Sequence, residues 1–286
     1  MTAVAVSAPD DALTVAPQRY GDIIVVGGGC YGSYYVRQLQ RAATAGALSW
    51  NRLLVVDRDL DCRVARELVD SARAADGDIA PPRPELVGRE WGSFFAEYLG
   101  AKAMAAEPAA GTVAAPELPL EDAIVPSPLM PHLMAQWVMS RARARWPGRM
   151  MRFAPVDGAV DVPWQRTGDD GTHYVSFATW MCPINCVEPR TCPHTRGARA
   201  WSLPPTLRAF VETERLRGRR LDGPAIFHCV HRAYGVGMFG VDEVLAADAL
   251  VAQVAAGRAA EVLMGSVSHC HGALAVLELA APGPDC

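Results

Sequence analysis

The first feature of the chain is an alternation of short apolar runs with helical periodicity. Residues 22–27 form an apolar run, a helical pattern over 30–45 follows directly, and residues 52–57 and 62–75 repeat this order. Short apolar runs of this kind predict buried strands, and the 3.6-residue pattern predicts helices that cover them. The first part of the chain is therefore expected to form a parallel sheet with helices packed on it.

The pattern changes near residue 150. Ser127 and Pro128 are expected to cap and begin a helix that reaches Trp146, and the pair Pro147-Gly148 ends it. Beyond this point shorter strands mix with helices, which indicates an α+β arrangement. The predicted strands lie at 173–180, 225–230, 261–267 and 273–279, and the predicted helices at 206–218 and 242–257.

Composition excludes several classes of partner. The 286 residues carry a net charge of −4, so neither nucleic acid nor an anionic membrane is an expected partner. No segment combines the length and the lack of charge needed to span a bilayer, and residues 1–20 lack the pattern of a signal peptide. We expect a soluble cytoplasmic protein that acts on a small-molecule substrate, and the sequence is compatible with a homo-oligomer.

Three glycines lie at the turn between the first apolar run and the first helix. Gly27, Gly29 and Gly32 fit the spacing G-x-G-x-x-G, and Asp57 ends the second apolar run. In a dinucleotide site the glycines allow a tight turn, a close approach of the pyrophosphate and close packing of the helix, while the acid binds the ribose hydroxyls. A carboxylate at Asp57 repels a 2′-phosphate and favours NAD over NADP. The alternative is a fold that has lost its ligand and keeps these glycines for packing.

This part of the chain resembles a known type of domain. On the residues Val25-Val-Gly-Gly-Gly-Cys-Tyr-Gly32 and Val55-Val-Asp57, the segment 23–59 is similar to the NAD(P)-binding Rossmann domains of the TrkA N-terminal and siroheme-synthase N-terminal types. The resemblance covers about the first third of the chain. It implies nucleotide binding and names no substrate.

The expected fold class is therefore α/β, with a Rossmann-like sheet in the N-terminal part and an α+β, Cys/His-rich part after it. The expected organisation is a flexible tail over 1–20, a Rossmann-like dinucleotide-binding domain over 21–150, and an α+β domain with a metal or catalytic site over 151–286.

A cysteine-rich loop carries the sharpest chemical signal of the second part. Cys182, Cys186 and Cys192 lie in a segment stiffened by three prolines, and His194 follows two residues after the last cysteine. Thiolates held together in this way predict a metal, either zinc or an iron–sulfur cluster, because they repel one another without it. The alternative is a set of buried, inert cysteines. The fourth ligand is His194 or one of several residues on distant predicted strands: Cys229, His269, Cys270 and His271.

Four histidines lie at the ends of two predicted strands of the second part. They occur as His228-Cys-Val-His231 and His269-Cys-His271. Imidazole transfers protons near neutral pH, so these four side chains are the candidate general acids or bases. The alternative for each is a hydrogen-bonded core histidine. Gly235, Gly237 and Gly240 repeat the spacing G-x-G-x-x-G, and a flexible loop beside the active site is expected there rather than a second nucleotide site.

These observations favour an NAD(P)-dependent oxidoreductase-like enzyme with a Cys-ligated metal site. Two alternatives remain open. The first is a nucleotide-sensing regulatory module with a structural or redox metal, and the second is a metal-binding protein on a Rossmann scaffold that has lost its nucleotide.

Overall fold

A computed structural model describes residues 18–74, 83–105, 120–178, 182 and 186–283. Most of the expected N-terminal tail lies outside these residues, and Gln18 already begins the first strand. The strands are β1 (Gln18–Val26), β2 (Leu48–Asp57), β3 (Glu85–Gly88), β4 (Ala123–Val125), β5 (Met151–Ala154), β6 (Trp164–Thr167), β7 (His173–Ser176), β8 (Pro224–His228), β9 (Val230–Ala233), β10 (Val236–Gly240), β11 (Ala260–Val267) and β12 (His271–Leu279). The helices are α1 (Cys30–Thr44), α2 (Arg63–Ala74), α3 (Trp91–Ala105), α4 (Leu133–Arg145), α5 (Leu203–Leu216) and α6 (Val241–Val254).

The first sheet has the strand order β3-β2-β1-β4-β10-β9. The pairs β2–β3, β1–β2 and β1–β4 are parallel, as expected when each strand is followed by a helix that crosses back over the sheet. The hairpin of β9 and β10 extends this sheet, because β10 pairs antiparallel with β4 and sets Phe239 opposite Ile124. The first sheet is therefore built from strands of both halves of the chain.

The second sheet has the order β6-β7-β12-β11-β8, and β5 pairs with the far end of β12. Its only parallel pair among the described strands is β8 with β11, in which His228 lies opposite Val267 at the carboxyl ends of both strands. A tight turn then leads from β11 into β12, and His271 lies opposite Ser176 of β7. Polar residues of three strands consequently meet at one edge of this sheet.

Three apolar clusters hold the layers together. One face of the first sheet packs on α1 and α2, and one face of the second sheet packs on α5. The remaining two faces share the largest cluster, with α3, α4 and α6 between the sheets. In that cluster Val26 of β1 and Phe239 of β10 belong to the same core as Phe227 of β8 and Met264 of β11. The molecule thus alternates helical layers with two sheets.

The mixed α/β class is confirmed: the described residues contain two mixed sheets and six helices. The dinucleotide-binding arrangement expected of the first sheet and the division of the chain near residue 150 stay predictions. Among the described residues, no helix has both the length and the apolar composition needed to cross a membrane.

The expected helix start at Ser127 and Pro128 is wrong. The helix α4 begins at Leu133 with His132 at its N-cap. Pro131 explains the difference, because a proline inside a helix removes one hydrogen bond and clashes with the preceding turn. The Ser127 hydroxyl instead accepts a hydrogen bond from the N–H of Leu129 at 3.3 Å.

The flexible loop expected at Gly235–Gly240 is also wrong, because residues 236–240 form β10. Tyr234 and Gly235 both have positive φ angles, of 47° and 78°, and they make the tight hairpin turn that such a pair favours. Gly237 is required within the strand, since a Cβ there would lie 2.9 Å from Cδ2 of His231. The glycine spacing in this segment therefore serves a hairpin.

Candidate functional site

The three glycines of the first turn differ in what surrounds them. Gly27 has a φ angle of +87°, which favours glycine. A Cβ on Gly32 would collide with the carbonyl oxygen of Gly27, so α1 packs directly on the turn. A Cβ on Gly29, the N-cap of α1, would meet no atom of the described residues within 4 Å. The turn therefore leaves open space at Gly29.

Asp57, at the end of β2, stabilises this turn through hydrogen bonds to backbone N–H groups. Its Oδ2 accepts a hydrogen bond from the N–H of Gly28 at 2.7 Å, and its Oδ1 accepts one from the N–H of Asp59 at 2.9 Å. The thiol of Cys62 covers Gly28, which is buried, whereas Gly29 and Cys30 are exposed. A ligand therefore has access to the turn at the first residues of α1.

The four candidate histidines lie close to one another and to Glu188. His228 ends β8, His231 lies in β9, and His269 and His271 flank the turn between β11 and β12. The rings of His228 and His269 meet edge to face, with centroids 4.6 Å apart. We call Glu188 and the four histidines the histidine–glutamate cluster: Glu188, His228, His231, His269 and His271.

Glu188 is the acidic member of the cluster, and only 8% of it is exposed. Its carboxylate interacts electrostatically with His228, His231 and His271, and in each case it raises the pKa of the imidazole. Its Oε2 lies 3.4 Å from Nη1 of Arg199. The cysteine-rich loop therefore supplies a buried negative charge to histidines on three strands.

Two serines fix the orientation of two histidines. Nδ1 of His271 is 2.9 Å from Oγ of Ser176, and Nδ1 of His269 is 2.9 Å from Oγ of Ser202. Each contact leaves Nε2 of the same ring for another partner. Such contacts hold a ring in one rotamer and one tautomer.

Four buried atoms of the cluster have no hydrogen-bond partner among the described residues: Glu188 Oε1, His228 Nε2, His231 Nδ1 and His271 Nε2. An unpaired buried polar atom costs about 1–3 kcal/mol. Native proteins contain few such atoms, and their concentration at one place calls for a bound partner, which is a ligand, an ion or ordered water. The only other such side-chain atoms in the described part of the chain are the indole nitrogens of Trp50 and Trp137.

Three histidines of the cluster, His228, His231 and His271, are held in their neutral form. Burial lowers the pKa of His228 to about 4, and the neighbouring His269 lowers it further. Burial likewise lowers the pKa of His231 and of His271 against the opposing effect of Glu188. At neutral pH these imidazoles can therefore each accept a proton.

The cysteines of the loop form a second group next to the cluster. Burial raises the pKa of Cys182 to about 12, and Cys186, Cys270 and Cys192 raise it further because the four thiols are neighbours. Cys270 accepts a hydrogen bond from Nε1 of Trp201 at 3.3 Å. We call these four residues the thiol group: Cys182, Cys186, Cys192 and Cys270.

Cys192 differs from the other thiols. Hydrogen bonds from the hydroxyl and the backbone N–H of Thr195, together with one from the N–H of His194, lower the pKa of Cys192. Donors directed at a sulfur stabilise its thiolate, the form that ligates metals. Among the described residues, no three His, Cys, Asp or Glu side chains are arranged to hold a metal ion. The predicted ligand set at Cys182, Cys186, Cys192 and His194 therefore stays a prediction.

Cys229 lies apart from the thiol group and links the cluster to the glycine turn. It packs against Gly237 of β10, and burial raises its pKa to about 12. Tyr35 of α1 is close enough to Cys229 for the two side chains to interact electrostatically, and α1 also contacts β9 and β10. The helix that starts at the glycine turn therefore runs beside the hairpin that carries His231.

Comparison with known families adds one match. The model of a family described as "Uncharacterized protein, C-terminal domain" (AF_1314_C) matches residues 134–280, just over half of the chain. The chain belongs to this family. The AF_1314_C match contains the whole histidine–glutamate cluster and the thiol group, whereas Gly27, Gly29, Gly32 and Asp57 lie before it. No curated protein and no solved structure matches the chain.

The resemblance to the TrkA N-terminal and siroheme-synthase N-terminal domains is wrong. The family match covers the C-terminal part, which had no expected family, and no family of NAD(P)-binding domains matches residues 23–59. The physical reason is that a glycine turn between an apolar run and a helix is a local pattern that unrelated α/β chains share. The AF_1314_C match names no activity.

Several residues in and around the histidine–glutamate cluster have no signal in the sequence. Ser176 is separated from His271 by 95 residues, and only the register of β7 and β12 brings the two together. Tyr35 and Ser202 are ordinary helix and helix-cap positions in the sequence. Glu188 and Arg199 have the appearance of surface charges in a loop, yet the carboxylate of Glu188 is buried.

Proposed function

We propose that this protein is an NAD(P)-dependent oxidoreductase whose small-molecule substrate reacts at the histidine–glutamate cluster. The observation that carries the proposal is the set of four buried, unpartnered atoms of that cluster. A polar substrate that binds between them supplies the missing hydrogen bonds and removes their energetic cost.

The glycine turn supports a dinucleotide as the cofactor. In the first sheet β3, β2, β1 and β4 are parallel in that order, which is compatible with a Rossmann-like half. The turn leaves space at Gly29, and the N-cap of α1 has no side-chain hydrogen bond, so the first N–H groups of the helix are available to phosphate. Asp57 lies where ribose hydroxyls are bound in such sites, which favours NAD.

The chain's own residues account for proton transfer. When bound, the dinucleotide supplies a hydride donor or acceptor. Oxidation of a substrate alcohol also releases the hydroxyl proton, which needs a base within hydrogen-bond reach. His271 fits this role best, because Ser176 fixes its ring, its Nε2 has no partner among the described residues, and burial keeps the ring neutral. Glu188 stabilises the imidazolium that forms.

Binding of NADH tests the cofactor. We expect G29A to weaken NADH binding at least about tenfold, because the added methyl enters the space that the pyrophosphate needs. The same methyl meets nothing in the described residues, so the fold is retained. G100A is the matched control: Gly100 of α3 also has open space around its Cβ and lies away from the turn. Isothermal titration of wild type and both variants makes the measurement, and unchanged binding by G29A argues against the cofactor.

A metal site at the thiol group is a second candidate, and the hydrogen bonds to Cys192 favour it. Four cysteines are a donor set that suits zinc or an iron–sulfur cluster, and Cys270 is the best fourth ligand because it neighbours Cys182 and Cys186. A metal here would fix the loop that carries Glu188 and, as a cluster, would also transfer single electrons.

Anaerobic purification tests this second candidate. We expect stoichiometric zinc, or iron with sulfide, in the wild type and a loss of most of that metal in C192S and C270S. Cys62, which is buried against Gly28, provides the control variant C62S. If the wild-type protein contained no metal, the four cysteines would be interpreted as ordinary packing residues. That result would not affect the proposal of a dinucleotide cofactor.

A further inference from the structure

We propose that the substrate of this protein is a small organic anion, a carboxylate or a phosphate ester, held by Arg208 and Arg232 in a cleft beside His228. The inference rests on the proposed function, because it names the class of substrate that reaches the histidine–glutamate cluster. The cleft has a volume of about 440 Å³, within the usual range for small-molecule sites. It lies between β8, β9, α5 and α6.

The charge of the cleft is positive. Arg208 of α5 and Arg232 of β9 line it, and both interact electrostatically with His228. Arg208 makes no hydrogen bond or ion pair with any described residue. Arg232 approaches a carboxylate only weakly, with Nη2 4.0 Å from Oε1 of Glu121. Arg232 also contacts the hydroxyl of Tyr20 and interacts electrostatically with Glu243. The two arginines still outnumber the one carboxylate that lines the cleft, which favours an anion between them.

Glu243 is the acidic residue that lines the cleft, and both of its carboxylate oxygens accept hydrogen bonds from the backbone. Oε2 of Glu243 accepts a hydrogen bond from the N–H of His228 at 2.8 Å, and Oε1 accepts one from the N–H of Gly240 at 3.2 Å. Glu243 therefore serves the backbone at the end of β8 and the start of α6. Burial also raises the pKa of Glu243, which reduces its tendency to carry a charge.

The remaining wall of the cleft is apolar and belongs to β8 and α6. Ala225, Ile226 and Leu250 are among its residues. A ligand that fits this lining has an anionic end for the arginines and a short hydrocarbon body for the wall. Because His228 lines the cleft and also belongs to the cluster, a ligand held by the arginines lies next to one member of the cluster.

Titration of the full-length protein with two anions of similar apolar length tests the inference. Hexanoate and butyl phosphate are the probes, inorganic phosphate shows whether the apolar body is needed, and the buffer is free of phosphate and of nucleotide. We expect saturable binding of at least one organic probe in the millimolar range or tighter, with weaker binding of inorganic phosphate. The probe that binds more tightly distinguishes carboxylate from phosphate ester as the natural head group.

The variants R208Q and R232Q show whether the two arginines hold the anion. Each should weaken binding at least about tenfold, because each removes a charge-assisted contact. The control R166Q removes an equal charge from an exposed position on β6 and should leave affinity within about twofold. Loss of saturable binding in the wild type, or equal effects of R166Q and the two cleft variants, would overturn the inference.

The same samples are titrated with NADH, so that the two proposals can fail separately. NADH binding without anion binding overturns the substrate class alone. Anion binding without NADH binding leaves the cleft intact and overturns the cofactor. Unfolding curves of the variants show whether each substitution leaves the fold unchanged.

Discussion

Glu188 is the residue whose environment is least explained by packing. It is buried, its φ angle is +47°, and one carboxylate oxygen has no partner among the described residues. A positive φ at a residue other than glycine costs on the order of 1 kcal/mol, and such costs are concentrated at functional sites. The fold therefore holds Glu188 with a strained backbone and an unpaired carboxylate oxygen, in a position where its charge acts on the surrounding histidines.

The variant E188Q tests this dependence through the titration of the histidines. Glutamine keeps the size of the side chain and removes its charge. Because the carboxylate raises the pKa of His228, His231 and His271, each of these pKa values should fall further below the ordinary value of histidine. Imidazole NMR signals followed against pH make the measurement.

The control for this titration is E212Q, since Glu212 is an exposed residue of α5 that pairs with Arg215. Removal of the Glu212 charge should leave the pKa values of His228, His231 and His271 unchanged. Histidine pKa values that stay constant or rise in E188Q would show that Glu188 does not act on the cluster.

The candidate histidines and cysteines were identifiable from the sequence because their residue types and spacing are unusual in a chain of this composition. His228, His231, His269 and His271 lie close to one another in the fold. The partners that orient them were not identifiable, because Ser176 and Ser202 are placed by strand register and helix entry rather than by any local pattern. Glu188 lies among the charged residues of the cysteine-rich loop, and no local pattern indicates its burial.

At the scale of elements, local periodicity predicts helices and strands where buried positions recur either as a continuous apolar run or with the period of a helix. The apolar runs and helical patterns of β1, α1, β2 and α2 are present close to their expected bounds. The short edge strands β3, β5 and β6 were missed, since their half-buried four-residue runs carry too few apolar positions to indicate a strand. Periodicity also gave no sign that β9 and β10 form a hairpin.

That hairpin shows why spacing of glycines alone misleads. Gly235 serves a tight turn, and Gly237 leaves room for His231 across the strand pair. The same spacing at Gly27–Gly32 has a different structural basis, because there it accommodates a helix that packs on the turn. The role of a glycine is decided by what lies within a few ångströms of its missing Cβ, which only the folded chain determines.

At the scale of the whole molecule, the two halves of the chain share one core. Phe239 of β10 pairs with β4 in the first sheet, and its ring is 5.9 Å from that of Phe227 in the second. The largest apolar cluster includes residues of both sheets and of three helices between them. Elements so connected are expected to unfold together.

The variant F239A tests this cooperativity. Phe239 is only 1% exposed, so its truncation should lower the free energy of unfolding by about 3–5 kcal/mol. Urea unfolding followed by circular dichroism and by tryptophan fluorescence should show one coincident transition, shifted as a unit. The control L216A, at a position of α5 that is 90% exposed, should change little. Two separate transitions, with F239A shifting only one, would contradict a shared core.

The late position of β10 in the chain has a consequence during synthesis. β4 is a wholly buried Ala-Ile-Val strand that lies between β1 and β10, and β10 leaves the ribosome long after it. At about 5–20 residues per second, one edge of β4 stays unpaired for on the order of ten seconds. An apolar strand with an open edge can template the pairing of another chain. Until the hairpin of β9 and β10 pairs with β4, the nascent polypeptide is exposed to aggregation with neighbouring chains on the same polysome. Chaperone binding during this period therefore influences the yield of folded protein.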